Sequence, residues 1–151
     1  VAAIARGSLD VRPAARQPVE RDAATQLRME VFVREQGIDP ALELDAQDET
    51  ALHAVAYNRL GMPLATGRLL HEGPGLARIG RMAVERTVRG QRWGRMVLDG
   101  LMQAAQARGA GAVTLHAQRS AEGFYRRAGF APQGERFEEA GITHITMRRK
   151  L

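Results

Sequence analysis

Between Leu76 and Ala105 the chain runs from a strand pattern into a glycine- and arginine-rich loop and then into a helical stripe. That junction limits the fold more than any other feature. Over Leu76–Val84, Ala77 and Ile79 set one apolar phase, and Met82 and Val84 set the opposite one. Strand side chains alternate with a period of two, so a phase flip beside Gly80 predicts a β-bulge, one extra residue in one strand. Bulges often sit beside active sites, where they splay strands and free backbone groups. The loop Arg89-Gly90-Gln91-Arg92-Trp93-Gly94-Arg95 follows, and then Val97, Leu98, Leu101, Met102 and Ala105 recur on one helical face. A helix opening there turns its free N–H groups and the positive end of its dipole toward the loop, which suits an anion. Gly90 and Gly94 let the backbone approach a phosphate with no Cβ in the way. The loop is neither a Walker loop nor a dinucleotide fingerprint, and taken alone it is equally an ordinary strand-to-helix turn.

The remaining elements arrange themselves around this junction. Leu9 to Arg12 reads as a short strand. Pro18 precedes a helical pattern through Leu27, Val31 and Phe32 that ends near Gln36-Gly37, where the glycine suits a C-cap. Leu52 to Tyr57 and Leu64 to Leu70 read as a hairpin turning at Gly61 and Pro63. Val113 to Ala117 is a strand, Ser120 to Arg127 a helix, and Phe130 and Ile142 to Met147 fall in two closing strands. The order β, α, β, β, β, α, β, α, β, β predicts a mixed α/β (α+β) fold on one central sheet.

At 151 residues the chain fits one domain, 1–151, with one sizeable core. With no cysteine, disulfides, thiolate zinc sites and cysteine nucleophiles are excluded. No apolar run approaches a bilayer span. Val1 to Ala5 ends at Arg6, too short for a secretory segment, so a cytoplasmic location is expected. Charge is uneven. Arg78, Arg81, Arg86, Arg89, Arg92 and Arg95 crowd one segment, and Glu35, Asp39, Glu43, Asp45, Asp48 and Glu49 crowd another. Two solvated faces would explain this. So would an anionic ligand at the first and a cationic one at the second. The pI near 10.8 raises nucleic acid as a ligand, but aromatics are only 5% and no nucleic-acid motif occurs, so that class ranks low.

At Gln118-Arg119-Ser120-Ala121-Glu122-Gly123-Phe124-Tyr125-Arg126-Arg127-Ala128-Gly129-Phe130 the chain resembles the GNAT superfamily of acyl-CoA N-acyltransferases. The family's phosphate loop reads Gln/Arg-x-x-Gly-x-Gly/Ala, and its later motif reads Asn-x-x-Ala-x-x-Phe-Tyr-x-x-x-Gly-Phe. Ala121, Phe124, Tyr125, Gly129 and Phe130 match, Gln118 stands where Asn is usual, and Arg92 stands at the loop's first glycine. Arg92 either blocks a pyrophosphate or adds charge to it, and the neighbouring arginines favour the second. Within the superfamily the chain looks like the ElaA-like branch, through Val31-Phe32-Val33-x-Glu35-Gln36, Asp45, Asp48, His53, Ile79-Gly80-Arg81, Ala117-Gln118 and Glu138-Glu139-x-Gly141-Ile142-x-His144.

The resemblance implies a single GNAT-type domain: a mixed, mostly antiparallel sheet with a bulged fourth strand and about four flanking helices. It implies direct acetyl transfer from acetyl-CoA, as co-substrate, to a primary amine of a small molecule or peptide, with no metal. Cofactor contacts are expected at Met82, Ala83, Val84, Arg89, Gly90, Gln91, Arg92, Trp93, Gly94, Arg95, Gln118 and Phe124. Of these, Trp93 should face CoA or solvent, and the N–H groups of Gln91 to Arg95 should hold the pyrophosphate. A Val84 N–H is the expected oxyanion donor and Tyr125 the expected proton donor to the thiolate. Tyr125 as a satisfied core aromatic is the plain alternative. Glu35, Asp48, His53, His116 and His144 are candidate bases; Glu35 is placed in the acceptor cleft, and His144 is carried forward with it. Arg81 should pair with acids of the adjacent strand. Expected partners are acetyl-CoA and an amine acceptor, with a homodimer left open and neither nucleic acid nor membrane. The competing reading is a catalytically silent acyl-CoA-binding or protein-interaction module of the same fold.

Overall fold

The computed structural model describes residues 7–13, 18–43 and 45–151, the side chains of 18–22 excepted. The segment read above for a leader, residues 1–6, lies outside them. Seven strands form one sheet: β1 (Ser8–Pro13), β2 (Leu52–Tyr57), β3 (Pro63–Gly73), β4 (Leu76–Val84), β5 (Ala112–Gln118), β6 (Ala131–Glu139) and β7 (Ile142–Lys150). Their order is β1-β2-β3-β4-β5-β7-β6. Every pairing is antiparallel except β4–β5. A parallel pair needs a crossover, and helix α3 (Trp93–Ala107) supplies it. The other helices are α1 (Pro18–Arg28), α2 (Pro40–Glu43) and α4 (Glu122–Arg127). No helix among the described residues is long and apolar enough to cross a membrane.

Each face of the sheet buries its own apolar stripe. Val97, Leu98, Leu101, Met102 and Ala105 of α3 pack with Leu69, Ile79, Val113, Leu115 and Met147 on one side. Leu27, Val31 and Phe32 pack with Ala83 on the other. The first helix is not uniform. After Arg28 it widens into a π-helical segment, Met29–Glu35, which Gly37 ends at a φ of 72°. The sequence predicts the stop but not the change of winding. Seven residues are too few to separate two helical periods.

The predicted bulge is present. Thr66 pairs with Ala83 and Arg68 with Gly80, so Arg81 and Met82 together oppose Gly67. Arg81 takes a φ of 53°. The extra residue explains the phase flip, because Ala77, Ile79, Met82 and Val84 all pack against the α3-side core. Gly67 makes the room: a Cβ there would lie 2.5 Å from the Met82 sulfur and 2.9 Å from Leu101 Cδ1.

Candidate acyl-donor and acceptor site

Two strands that begin paired and then part create the site. The β4–β5 ladder runs from Leu76 with Ala112 to Ile79 with Leu115 and stops there. β4 continues through the bulge to Val84, and β5 continues to Gln118. On its β3 side the Glu85 amide bonds the Leu64 carbonyl at 2.8 Å. Antiparallel pairs alternate, so the preceding residue, Val84, turns its N–H and C=O to the opposite edge, into the fork. The Val84 carbonyl accepts there from Arg89 Nε at 3.1 Å.

The helix mouth lies at the same end. Arg92 is the N-cap of α3 and takes a φ of 70°, with no side chain capping the helix. It thus occupies the left-handed conformation, which a glycine would adopt at little cost. The amides of Trp93, Gly94 and Arg95 have no acceptor among the described residues. A helix end with unfilled donors and positive dipole is an anion receptor. The Gln91 amide is different, since it bonds the Val88 carbonyl at 3.3 Å; the expectation that it joins the amide cradle is corrected.

Two further expectations for this loop change. Trp93 is buried, 6% exposed, in the main core, facing neither a ligand nor solvent. It lies four residues before Val97 on the same helical stripe, and α3 begins at Trp93 itself. Gly94 admits a strand: a Cβ there would lie 2.9 Å from Val84 Cγ2 and 3.6 Å from Phe124. Gly90, at a φ of 85°, has open space where its Cβ would be. Arg95 pairs with Asp99 one turn along at 2.9 Å.

Tyr125 lies in α4, 7% exposed, with its ring edge-to-face on Phe124 at 5.1 Å and on Phe130 at 5.9 Å. Burial raises the pKa of its hydroxyl above the ordinary value. A tyrosine so held keeps its proton at neutral pH, and if it gives that proton up its phenolate readily takes one back.

The acidic stretch is largely consumed from within. Arg28, 2% exposed, bonds Glu43 at 2.8 Å and Asp48 at 2.7 Å. Arg68 bonds Asp45 at 2.7 Å and Asp48 at 3.0 Å. Arg81 bonds the Glu43 carbonyl at 3.1 Å and Asp45 at 3.3 Å, so its partners lie at the end of α2 and in the loop that follows, not on the adjacent strand. These contacts tie the bulge to that loop. They also remove Asp48 and His53 as bases. Burial opposes ionisation of Asp48, but the bond and charge of Arg28 outweigh it and hold the carboxyl far below the usual range. Burial likewise lowers the His53 pKa, and its Nε2 lies 2.9 Å from the Asp48 carbonyl. A cationic acceptor therefore cannot be inferred from these carboxylates.

Glu35 and Gln36, at the end of the π-helical segment, reach the loop beyond β4 and the end of β5. Glu35 forms a bidentate pair with Arg89, whose hydrogen bond lowers the Glu35 pKa. Gln36 and Gln118 exchange amide hydrogen bonds of 3.1 and 2.9 Å. Beside Gln118 in register, His144 on β7 donates from Nδ1 to the Ile142 carbonyl at 2.7 Å, leaving its lone pair on Nε2.

A family model described as an acetyltransferase (GNAT) domain matches residues 20–151. The Bacillus subtilis protein YyaT is 30% identical over 131 residues, 85% of this chain and 87% of its own. ElaA of Escherichia coli is 32% identical over 134 residues, 85% of this chain and 86% of its own. The crystal structure of E. coli ElaA superposes with a TM-score of 0.84 at 28% identity, covering 95% of this chain and 99% of that one. An acyl-CoA N-acyltransferase from Pseudomonas aeruginosa superposes with a TM-score of 0.83 at 34% identity, over 95% and 99% of the two chains. With the bulged fourth strand, the forked β4–β5 pair and the uncapped helix in place, the chain belongs to the GNAT acetyltransferase family.

Proposed function

We propose that the protein transfers the acetyl group of acetyl-CoA directly to a primary amine of a small molecule or peptide. The observation that carries this reading is the uncapped mouth of α3, where the amides of Trp93, Gly94 and Arg95 meet no acceptor among the described residues, beside the freed backbone of Val84. The pyrophosphate of the donor is held by the amides of Trp93, Gly94 and Arg95, with Arg89 and Arg92 adding charge. Pantetheine runs along the freed edge of β4 between Met82 and Val84, past Gln118 and Phe124. The Val84 N–H faces the thioester oxygen and stabilises the oxyanion.

The acceptor arrives as an ammonium and must lose a proton before it can attack. In this reading His144 Nε2 takes that proton and passes it to solvent. The amine nitrogen then bonds the acyl carbon and the C–S bond breaks. The thiolate takes a proton from Tyr125, which recovers one from the acylated nitrogen. Glu35, already ionised and paired, is a poor base and instead lines the acceptor side.

Calorimetry with coenzyme A, followed by thiol release from acetyl-CoA with a panel of amines, tests the reading. Binding and amine-dependent thiol release are expected. No heat with coenzyme A would overturn the proposal, and heat without thiol release would make the chain a silent acyl-CoA-binding module.

A further inference from the structure

Beyond the fork, β5, β7 and β6 carry a second constellation on the face opposite α3. His116 Nδ1 lies 2.9 Å from Arg78 Nη2 and 3.4 Å from Glu139 Oε2. The same carboxylate oxygen lies 3.8 Å from His144 Nε2. Phe137 sits between the two imidazoles, edge-to-face with His116 at 5.0 Å and stacked on His144 at 5.9 Å. One glutamate oxygen therefore lies near both histidines, and one aromatic ring packs on both.

The two histidines are not equivalent. A guanidinium only donates and a carboxylate only accepts, so His116 Nδ1 cannot satisfy both neighbours at once. Burial, then the charge of Arg78, lowers the His116 pKa. Neutral His116 gives its lone pair to Arg78 and leaves Glu139 unanswered. His144 is the reverse case. Its Nδ1 proton is committed to the Ile142 carbonyl, so any proton it gains goes to Nε2, toward Glu139. Glu139 on β6, His116 on β5 and, through His116, Arg78 on β4 are the ionisable groups facing it.

We propose that Glu139 is a positioning residue for the transfer reaction, its carboxylate orienting His144 and balancing the charge that His144 acquires on taking the proton from the acceptor ammonium. This rests on the acetyl-transfer reading above, in which His144 is the base. The proton moves from the ammonium nitrogen to Nε2 and then to solvent, and Glu139 remains ionised throughout. Removing its charge leaves the His144 imidazolium without the carboxylate that faces its Nε2, which weakens the base.

The test is Glu139→Gln, read in two ways. In the substrate-free protein, proton NMR follows the imidazole titrations; the chain has four histidines, and His→Gln variants assign them. The His144 midpoint is expected to fall by about half a pH unit or more. In turnover at saturating substrates, the acidic limb of the kcat profile is expected to move down by a similar amount, while the plateau falls several-fold and KM for acetyl-CoA stays unchanged. Glu139→Asp should restore most of the midpoint. An unmoved His144 titration, or a moved titration with an unmoved kcat limb, would overturn the inference and leave acetyl transfer standing. A wild-type protein that transfers nothing to any amine would overturn both.

Discussion

Arg89 reaches Glu35, 54 residues earlier, through two parallel hydrogen bonds of 2.5 and 2.8 Å, and its Nε also holds the Val84 carbonyl. The residue proposed to grip the donor phosphate is thus engaged by a carboxylate on the acceptor side. Both side chains are partly exposed, so the pair itself stabilises the fold by only about 0.2–1 kcal/mol. Its larger effect is competition, since a phosphate must draw Arg89 away from Glu35.

Glu35→Gln should therefore tighten coenzyme A binding a few-fold, because Arg89 is released from its counter-ion. Arg89→Ala should weaken binding by about tenfold, a loss near 1.4 kcal/mol, and most strongly at low salt. Calorimetry at two ionic strengths checks both. Weaker binding in Glu35→Gln would contradict the competition.

Arg92 holds a conformation that costs a side chain roughly 1 kcal/mol and costs glycine little. Arg92→Gly should leave the melting temperature unchanged or raised, while Arg92→Val should lose about 1 kcal/mol or more, since β-branching worsens the strain. If Arg92 also pairs with phosphate, Arg92→Gly should weaken coenzyme A binding despite its intact stability. Thermal denaturation and calorimetry on the two variants separate strain from charge.

Gly94→Ala places a methyl group 2.9 Å from Val84 Cγ2, closer than two carbons can sit without a shift. The expected loss is about 1–3 kcal/mol in urea unfolding, the usual cost of overpacking. Val84→Ala combined with it should recover part of that loss, and strict additivity in the double-mutant cycle would argue against the contact.

Tyr125→Phe should reduce turnover at least tenfold and change acetyl-CoA affinity little. Stability should shift by less than about 1 kcal/mol, because the ring packing on Phe124 and Phe130 is retained. Equal turnover in the variant would end the proton-donor role.

Asp48→Asn leaves Arg28 and Arg68 buried with an incomplete counter-charge and should cost about 3–5 kcal/mol at pH 7. The pH dependence has a definite sign. Asp48 ionises in the folded state well below its ordinary range, so its contribution is complete above about pH 4 and fades as pH falls from there toward the folded value. Glu43 acts in the opposite sense, because burial raises its pKa despite the Arg28 bond. The gap between wild type and Asp48→Asn, followed by denaturant unfolding from pH 7 to pH 3, should narrow toward acid.

Local chemistry made the backbone of the site readable. The misphased apolar residues around Gly80 announced the bulge, and Gly37 announced the helix stop, because both are features of a few consecutive residues. Trp93 was readable too: it is one turn ahead of Val97, and extending the stripe by that turn would have put it in the core. The acidic stretch was not. Composition shows that Glu43, Asp45 and Asp48 are there, but their partners Arg28, Arg68 and Arg81 come from a helix and two strands that only the fold assembles. The Arg89–Glu35 and Gln36–Gln118 pairs leave no periodic trace for the same reason.

The Gln36–Gln118 exchange carries no net charge, so neither acid nor salt loosens it, unlike the neighbouring Glu35–Arg89 bond. Two adjacent residues thus reach the two sides of the fork by unlike forces, Gln36 at the end of β5 and Glu35 through Arg89 in the loop beyond β4. The end of one helical segment therefore braces the fork on both sides. A change at that helix end would act on the fork from a distance and, through Arg89, on the glycine- and arginine-rich loop as well.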